Sequence, residues 1–147
     1  MSATRRADAV WSGPLATGSG SVSASTSGLF TDLAVTWASR TEAADGRTSP
    51  EELLAAAHSS CFAMALSGAL ARAGTPPERL DVSAEVTFDK VDEGWRVVSS
   101  ALTVAGTVPG ISAEDFQVAA EGARDGCPIS KALAGNVALS VKATLQA

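Results

Sequence analysis

Residues 49–74 read SPEELLAAAHSSCFAMALSGALARAG, and this stretch decides how the rest of the chain is arranged. Ser49 is a favourable helix cap, and Pro50 suits the first helical position. The two acids that follow lie where the helix dipole favours negative charge, and Glu52 stands three residues after the cap, as a capping box requires. Gly74, with two prolines close behind it, ends the pattern. The stretch therefore predicts one long helix.

The predicted helix has one apolar face and an unusually small surface. Apolar residues recur at spacings of three and four, which are typical of a helix: Leu53, Ala57, Cys61, Met64 or Ala65, and Gly68. Many of the other positions are alanine or serine, so a second backbone can approach closely. We expect this helix to form both the core and the functional site.

Length and composition indicate a single domain over residues 1–147. Hydrophobic residues make up 46% of the chain and the mean hydropathy is +0.16, which is slightly apolar for a soluble monomer and favours a buried subunit interface. The net charge of -5, without a Lys/Arg cluster, argues against a nucleic-acid partner.

Targeting signals are not evident in the sequence. Polar residues follow the N-terminal arginines where a signal peptide needs an apolar run, and the long helix is interrupted by a histidine, serines and an arginine. We therefore expect a cytoplasmic protein without a membrane anchor. In that compartment two cysteines are more often reactive or inert than joined in a structural disulfide.

The remaining chain alternates in short segments that predict strands on both sides of the helix. A polar loop is predicted over residues 38–48, and turns are indicated at glycine-containing positions. The predicted strands cover residues 9–11, 21–25, 33–37, 81–88, 95–108 and 136–145, and further helices cover 113–124 and 127–133. This order, with antiparallel hairpins, indicates an α+β fold.

The two cysteines stand in different environments. Cys127 is placed at the N-cap of the short third helix, where unpaired backbone N–H groups favour a thiolate. Cys61 lies in the middle of the long helix on its apolar face, where burial raises the pKa of a thiol. A reactive Cys61 would need a cation from elsewhere in the fold, and the alternative is a small core residue.

His58, the only histidine, leaves two further readings open. It lies one turn before Cys61, which leaves a Cys61–His58 hydrolase dyad as an alternative, but no third group is evident. His58, Cys61 and Cys127 together are a weak zinc signal, since no C-x-x-C pair accompanies them. A lone histidine on a helix is more often structural, and a binding module without turnover is a further alternative.

Several segments, in order along the chain, resemble the OsmC/Ohr family of thiol peroxidases. Residues 50–67 (PEELLAAAHSSCFAMALS) resemble its signature helix, and residues 108–111 (VPGI) with 126–133 (GCPISKAL) resemble its second signature. Residues 90–95 (KVDEGW) are similar to the hairpin between them. The resemblance implies an OsmC-like α+β fold, with antiparallel sheets around a long central helix, in an intertwined homodimer.

By this resemblance Cys61 is the thiol that attacks peroxide and Cys127 resolves it, against the helix-cap argument. Residues 39–42 resemble the segment where the OsmC branch carries its arginine, which places Arg40 in that role with Arg47 as a fallback. The N-terminal hairpin, residues 17–28, lacks the arginine of the Ohr branch. The family's acid falls on Glu51, which would hold Arg40.

The implied reaction is reduction of an organic hydroperoxide to an alcohol, in defence against oxidative or osmotic stress. Cys61 becomes a sulfenic acid, and a Cys61–Cys127 disulfide forms. An external dithiol reduces this disulfide, and the resemblance implies a reductant of lipoyl type. No metal or organic cofactor is implied. Apolar walls that include Leu53, Leu54 and Phe62 would favour alkyl substrates. His58 is expected to be dispensable for the chemistry, because a positioned arginine meets the need of the thiolate.

The helix geometry also favours a homodimer. Glu51 and Cys61 are on one helix but about 15 Å apart along its axis, at about 1.5 Å per residue. The acid therefore cannot contact the thiol of its own helix directly. It must act through the long side chain of Arg40 or reach the thiol of a second subunit.

Overall fold

The computed structural model describes the whole chain, Met1–Ala147, as two compact units, Met1–Leu53 and Leu54–Ala147. Each unit contains one three-stranded sheet. The predicted α+β class is confirmed.

The sheet of the N-terminal unit is an antiparallel meander of short strands. It consists of β1 (Asp8–Ser12), β2 (Ser19–Ser23) and β3 (Leu33–Val35), in that order. Trp11 stands opposite Gly20 in the register, and a Cβ on this glycine would lie 2.7 Å from the Trp11 ring. Glycine here therefore leaves room for the indole. All five residues of β1 are exposed within the single chain.

A short helix, α1 (Trp37–Thr41), occupies the start of the segment predicted as a polar loop. The predicted strand ends at β3 because Thr36 leaves it to cap this helix: its hydroxyl accepts from the Ser39 N–H, and the Ser39 hydroxyl accepts from the Thr36 N–H, both at 3.0 Å. This is a capping box with serine in place of the usual Glu or Gln. The loop prediction is therefore wrong for its first turn.

The long helix is present as predicted, as α2 (Pro50–Arg72). The Ser49 hydroxyl accepts from the Glu52 N–H at 3.1 Å, but the Glu52 carboxylate accepts from the Thr48 hydroxyl, so the second half of the expected capping box is not formed. At the other end Gly74 has a φ of +87°. The Gly74 N–H bonds the Ala71 carbonyl and the next N–H bonds the Leu70 carbonyl, which together form a Schellman motif.

The buried face of α2 differs from the predicted one. Its fully buried residues recur every fourth position: His58, Phe62, Leu66 and Leu70. The predicted face is only half-buried, and Met64 is 72% exposed. The helix carries apolar residues on all sides, so spacing alone does not select the inner face. Phe62 is consequently a core residue and not the pocket wall expected from the sequence.

The C-terminal unit contains a second sheet, the part of α2 from Leu54 onward and two further helices. The hairpin β4 (Arg79–Val91) and β5 (Gly94–Thr107) is antiparallel, whereas β6 (Ala138–Gln146) pairs with β5 in parallel. Between β5 and β6 lie α3 (Ala113–Gly126) and α4 (Pro128–Leu133), the crossover that a parallel pair requires. The sheet is therefore mixed and not purely antiparallel.

The core of this unit joins α2, α3 and the sheet. The buried cluster comprises Phe62, Leu66, Leu70, Leu102, Val104, Val108, Phe116, Ala120 and Ala123. Gly106 in β5 lies beneath the Phe116 ring, and a Cβ there would collide with this ring and lie 3.1 Å from Leu80. A glycine is thus needed for α3 to approach the sheet.

By length and composition α2 is also apolar enough to cross a membrane. Core helices of soluble proteins share these properties, so the finding is weak by itself. Only 22% of its most apolar window is buried within the chain, which leaves much of its surface uncovered in the single subunit.

Candidate active site

In the N-terminal unit Arg40 and Glu51 form an ion pair. Arg40 Nη2 lies 2.8 Å from Glu51 Oε1, and Arg40 Nε lies 3.1 Å from both carboxylate oxygens. The arginine comes from α1 and the acid from the first turn of α2, where Glu51 is 6% exposed. The Arg40 guanidinium also lies over the Trp37 ring, 5.9 Å from its centroid. Two partners therefore orient this cation.

A mainly apolar pocket adjoins this pair within the same unit. It is a cavity of about 200 Å³, and Arg40 is the charged residue of its lining. The lining residues are Trp11, Leu15, Val35, Thr36, Trp37, Arg40 and Pro50. Such a pocket suits a hydrocarbon group next to one positive charge.

Arg47, the alternative cation, lies in a different setting. Its Nη1 is 3.2 Å from Asp45 Oδ2, and both side chains are largely exposed. An exposed pair of this kind contributes little free energy and does not fix the guanidinium. The structure therefore joins Glu51 to Arg40 and leaves Arg47 with an acid of its own loop.

In the C-terminal unit the two cysteines are free thiols, near enough for each to shift the pKa of the other. Cys61 projects from the middle of α2 and is half-buried. Cys127 is 0% exposed and stands at the joint between two helices, as the C-cap of α3 and the N-cap of α4. One thiol is thus accessible and its neighbour is enclosed.

The surroundings move the two thiol pKa values in opposite directions. Burial raises the pKa of Cys61, and the neighbouring Cys127 raises it further, against a smaller opposing effect of the Ile129 N–H. For Cys127 burial acts upward, but the neighbouring Cys61 thiol and the polar groups of Ser130 and Ile129 at the start of α4 outweigh it and lower the pKa.

His58 is fully buried, and both of its ring nitrogens are engaged by serine hydroxyls. Nδ1 lies 2.6 Å from Ser100 Oγ and Nε2 lies 2.7 Å from Ser130 Oγ. Burial lowers the pKa of this imidazole. Neither nitrogen is available to Cys61 as a base, so the Cys61–His58 dyad has no support in this geometry. Nor does any group of three His, Cys, Asp or Glu residues form a cluster able to hold a metal ion.

Ser100 and Ser130 were not found by the sequence reasoning. Ser130 stands three residues after Cys127, in the first turn of α4. This spacing from the N-cap residue is a local pattern that could have indicated Ser130 as a neighbour of Cys127. Ser100 lies on β5, far away in the chain, and its serine-rich surroundings give no local indication of a partner.

The fold and these two residue pairs define an α+β protein with an oriented ion pair and two free thiols on and beside its long helix. A family model for OsmC-like proteins matches residues 43–142. The chain therefore belongs to the OsmC-like protein family.

Individual relatives agree with this assignment. Peroxiredoxin OsmC of Escherichia coli (strain K12) is 39% identical over 139 residues, which cover 95% of this chain and 96% of the relative. The organic hydroperoxide resistance protein OhrA of Bacillus subtilis (strain 168) is 31% identical over 116 residues, 78% of this chain and 79% of OhrA. The crystal structure of OhrB of Bacillus subtilis superimposes with a TM-score of 0.72 at 25% identity, covering 96% of this chain and 98% of that one.

Proposed function

We propose that this protein is a thiol-dependent peroxidase that reduces organic hydroperoxides, with Cys61 as the attacking thiol and Cys127 as the resolving thiol. Relatives named peroxiredoxin and organic hydroperoxide resistance protein support the activity. The observation that carries the assignment of roles is the nearness of an accessible thiol, Cys61, to an enclosed one, Cys127, which shifts its pKa. Peroxide can reach the first, and the second is in place to act on the product.

In the first step the Cys61 thiolate attacks the terminal oxygen of the hydroperoxide. The O–O bond breaks, the alkoxide takes up a proton to leave as ROH, and Cys61 is oxidised to a sulfenic acid. Because burial and Cys127 raise the pKa of Cys61, a thiolate there needs a cation. We assign this role to Arg40, which also polarises the peroxide, and assign to Glu51 the role of holding the guanidinium.

In the second step Cys127 attacks the sulfur of the sulfenic acid. A Cys61–Cys127 disulfide forms and the oxygen leaves as water. An external dithiol of lipoyl type would then reduce the disulfide and return both thiols, so that the protein itself needs no metal or organic cofactor.

The preferred substrates in this proposal are alkyl or lipid hydroperoxides. The pocket beside Arg40 is walled by aromatic and aliphatic side chains, so a hydrocarbon group gains free energy there that hydrogen peroxide does not. A comparison of cumene hydroperoxide with hydrogen peroxide, each with dihydrolipoamide or thioredoxin as reductant, measures this preference.

We further propose that residues 1–147 act as one OsmC-like domain in a homodimer located in the cytoplasm. The exposed apolar surface of α2 and the exposed strand β1 support this proposal, because an interface with a second copy of the chain would bury both.

The division of labour between the cysteines is the first testable prediction. Cys61→Ser should abolish peroxide consumption, because no attacking thiol remains. Cys127→Ser should allow one oxidation and then accumulate a sulfenic acid, which dimedone labels and mass spectrometry locates on Cys61.

Two outcomes would contradict this assignment. If Cys127→Ser never reacts with peroxide while Cys61→Ser does, the roles are reversed. If the wild-type protein loses no free thiol when hydroperoxide is added, the peroxidase proposal fails, and the binding-module alternative takes its place.

A further inference from the structure

The position of the Trp11 indole is fixed by two features of the N-terminal sheet. Its Nε1–H donates to the Gly13 carbonyl, directly after β1, at 2.9 Å. In the sheet register Trp11, Gly20 and Val35 stand opposite one another on β1, β2 and β3, so they share one face of the sheet. Because Gly20 has no Cβ, the indole can lie against the middle strand, where a Cβ would be 2.7 Å from the ring. The indole is therefore held in place although Trp11 is 42% exposed.

This row of residues contributes one side of the apolar pocket that Arg40 also lines. Trp11 and Val35, the two ends of the row, are both lining residues. The rest of the lining comes from the segment after β1, from α1 with its cap, and from the first residue of α2, all within the N-terminal unit. Trp11 is the residue of β1 in this lining, so the wall that β1 supplies is its indole.

The size of the cavity limits how much hydrocarbon it can hold. Its volume is about 200 Å³, below the roughly 300–1,000 Å³ of pockets that enclose drug-sized ligands. A methylene group fills about as much space as a water molecule in the liquid, about 30 Å³, so the cavity holds about seven such groups. Carbon atoms beyond that number stay in water and gain nothing from burial.

We propose that Trp11 is a specificity-determining residue, because its indole bounds the pocket so that the hydrocarbon group of a hydroperoxide is bound over about seven carbon atoms and no further. This inference rests on the proposed function, in which that pocket holds the substrate, and it narrows the substrate class. Hydroperoxides with a short alkyl group or a single aryl group use the whole pocket. The longer chain of a lipid hydroperoxide gains no further free energy from it.

The indole acts on the hydrocarbon group and not on the reacting oxygens. Arg40, the charged residue of the lining, is oriented by Glu51 and by the Trp37 ring. Trp11 comes from a different element, so its replacement leaves both of these orienting groups in the chain. Hydrogen peroxide, which has no hydrocarbon group, therefore reports the chemistry alone, whereas an organic hydroperoxide reports the chemistry together with the pocket.

The first experiment measures kcat/KM of the wild-type protein for straight-chain hydroperoxides, from ethyl through butyl, hexyl, octyl and decyl to dodecyl hydroperoxide. Consumption of hydroperoxide with excess dihydrolipoamide is the readout, at concentrations below micelle formation. Each added methylene should raise kcat/KM about twofold to fourfold as long as it is buried. The increase should stop at about seven carbon atoms, between hexyl and octyl hydroperoxide.

The second experiment compares Trp11 variants by the ratio of kcat/KM for hexyl hydroperoxide to that for hydrogen peroxide. Trp11→Ala removes the wall, so this ratio should fall about tenfold and the gain per methylene should drop below about twofold. Trp11→Phe keeps an apolar ring but loses the N–H that bonds Gly13, so its ratio should fall about threefold. With hydrogen peroxide both variants should stay within about twofold of wild type.

Trp95→Ala is the matched control for these variants. Trp95 is a tryptophan of similar exposure, 45%, on a strand of the C-terminal unit and outside the pocket lining. Its replacement should leave the ratio of hexyl hydroperoxide to hydrogen peroxide at the wild-type value. If Trp11→Ala does not fold, Trp11→Phe and the wild-type chain-length series still decide.

A Trp11→Ala protein with the wild-type ratio would overturn the inference, and so would a kcat/KM that keeps rising up to dodecyl hydroperoxide. Equal losses with hexyl hydroperoxide and hydrogen peroxide in Trp11→Ala would also overturn it, since the indole would then serve the fold and not the substrate. A wild-type protein that consumes no peroxide of either kind contradicts the peroxidase function itself, whereas the other outcomes leave that function intact.

Discussion

Arg40 and Arg47 carry the same charge seven positions apart in one short segment, yet only Arg40 is oriented by its surroundings. A buried carboxylate binds it through both Nε and Nη2, and its guanidinium carbon lies over the Trp37 ring, 5.9 Å from the ring centroid. This preorganised guanidinium is suited to a thiolate or a peroxide oxygen, since it does not have to be reoriented during the reaction.

Removal of Arg40 should slow the chemistry and also lower the stability, because it leaves the buried Glu51 carboxylate without its ion-pair partner. In Arg40→Ala we expect the peroxide step to slow by about a hundredfold or more, the effect of losing a preorganised donor, and its pH midpoint to rise. Arg40→Lys should recover only part of the rate, because an ammonium cannot form the two parallel bonds to Glu51. Stopped-flow oxidation of Cys61 across pH measures both quantities.

Arg47→Ala is the matched control for these variants. It removes an equal charge from an exposed pair, so the rate should stay within about twofold of wild type. Equal losses in Arg40→Ala and Arg47→Ala would show that net charge matters and the oriented pair does not.

The burial of His58 should make the free energy of unfolding depend on pH. Burial lowers the pKa of the folded imidazole below its ordinary value of 6.5, so the unfolded chain binds a proton that the folded chain does not. The free energy of unfolding should thus fall as pH decreases below about 6.5, by up to about 1.4 kcal/mol per pH unit. Urea unfolding between pH 5 and 7, at fixed protein concentration, measures this slope, because the chain has no other histidine.

His58→Gln is the control for this prediction. It keeps a polar side chain but no titrating group in this range, so its stability should be nearly flat between pH 5 and 6.5. Parallel curves for the wild type and this variant would show that His58 does not carry the pH dependence.

A site residue is predictable from the sequence when its partner lies nearby in the chain, and is missed when the partner is distant in the chain. Arg40 and Glu51 lie at the two ends of one loop, so their closeness in the chain already indicates the pairing that the structure shows. The Ser100–His58 bond connects a strand to a helix, and such long-range contacts have no local pattern in one sequence. The sequence therefore gives no indication of the two serine partners of His58.

Among the elements, α2 shows the limit of pattern reasoning most clearly. Its start and end follow from the Ser49 cap, Pro50 and Gly74, all of which act through neighbouring backbone groups. Its inner face was mispredicted because Ala, Leu, Met and Phe surround the helix, and only tertiary packing decides which of them face the sheet. The parallel pairing of β6 is a long-range choice of the same kind.

The packing of α3 on β5 gives a prediction at this scale. In Gly106→Ala the added methyl would meet the Phe116 ring and force α3 outward, and we expect a loss of about 1–3 kcal/mol in the free energy of unfolding. Gly122→Ala on α3, where no atom lies within 4 Å of the new Cβ, should instead stabilise by about 0.5–1 kcal/mol, as for glycine replacement in a helix. Urea unfolding separates the two, and a Gly106→Ala protein as stable as wild type would show that α3 does not depend on this close approach.

At the scale of the whole molecule, the uncovered surface of α2 predicts a dimer. Light scattering should give about twice the chain mass of 14.8 kDa at micromolar concentration. An active monomer would contradict the homodimer proposal and confine the action of Arg40 to its own chain.

Mixed dimers then decide which subunit supplies the arginine. Neither Cys61→Ser nor Arg40→Ala homodimers should be fully active. If Arg40 serves the partner's thiol, subunits of the two variants refolded together should regain one working site per mixed dimer. If it serves its own chain, mixing should restore nothing, because each remaining Cys61 still lacks its arginine. Wild-type subunits mixed with Cys61→Ser calibrate the activity of a single site.

The chain contains one histidine, and the fold encloses it completely. A protein labelled with nitrogen-15 would therefore show a single imidazole in its magnetic resonance spectrum, free of overlap from any other. Because this ring contacts Ser130, which stands three residues after Cys127 in the first turn of α4, that one signal should report changes at the two thiols of the proposed redox pair. Each turn of the redox cycle can be followed without adding a probe to the molecule.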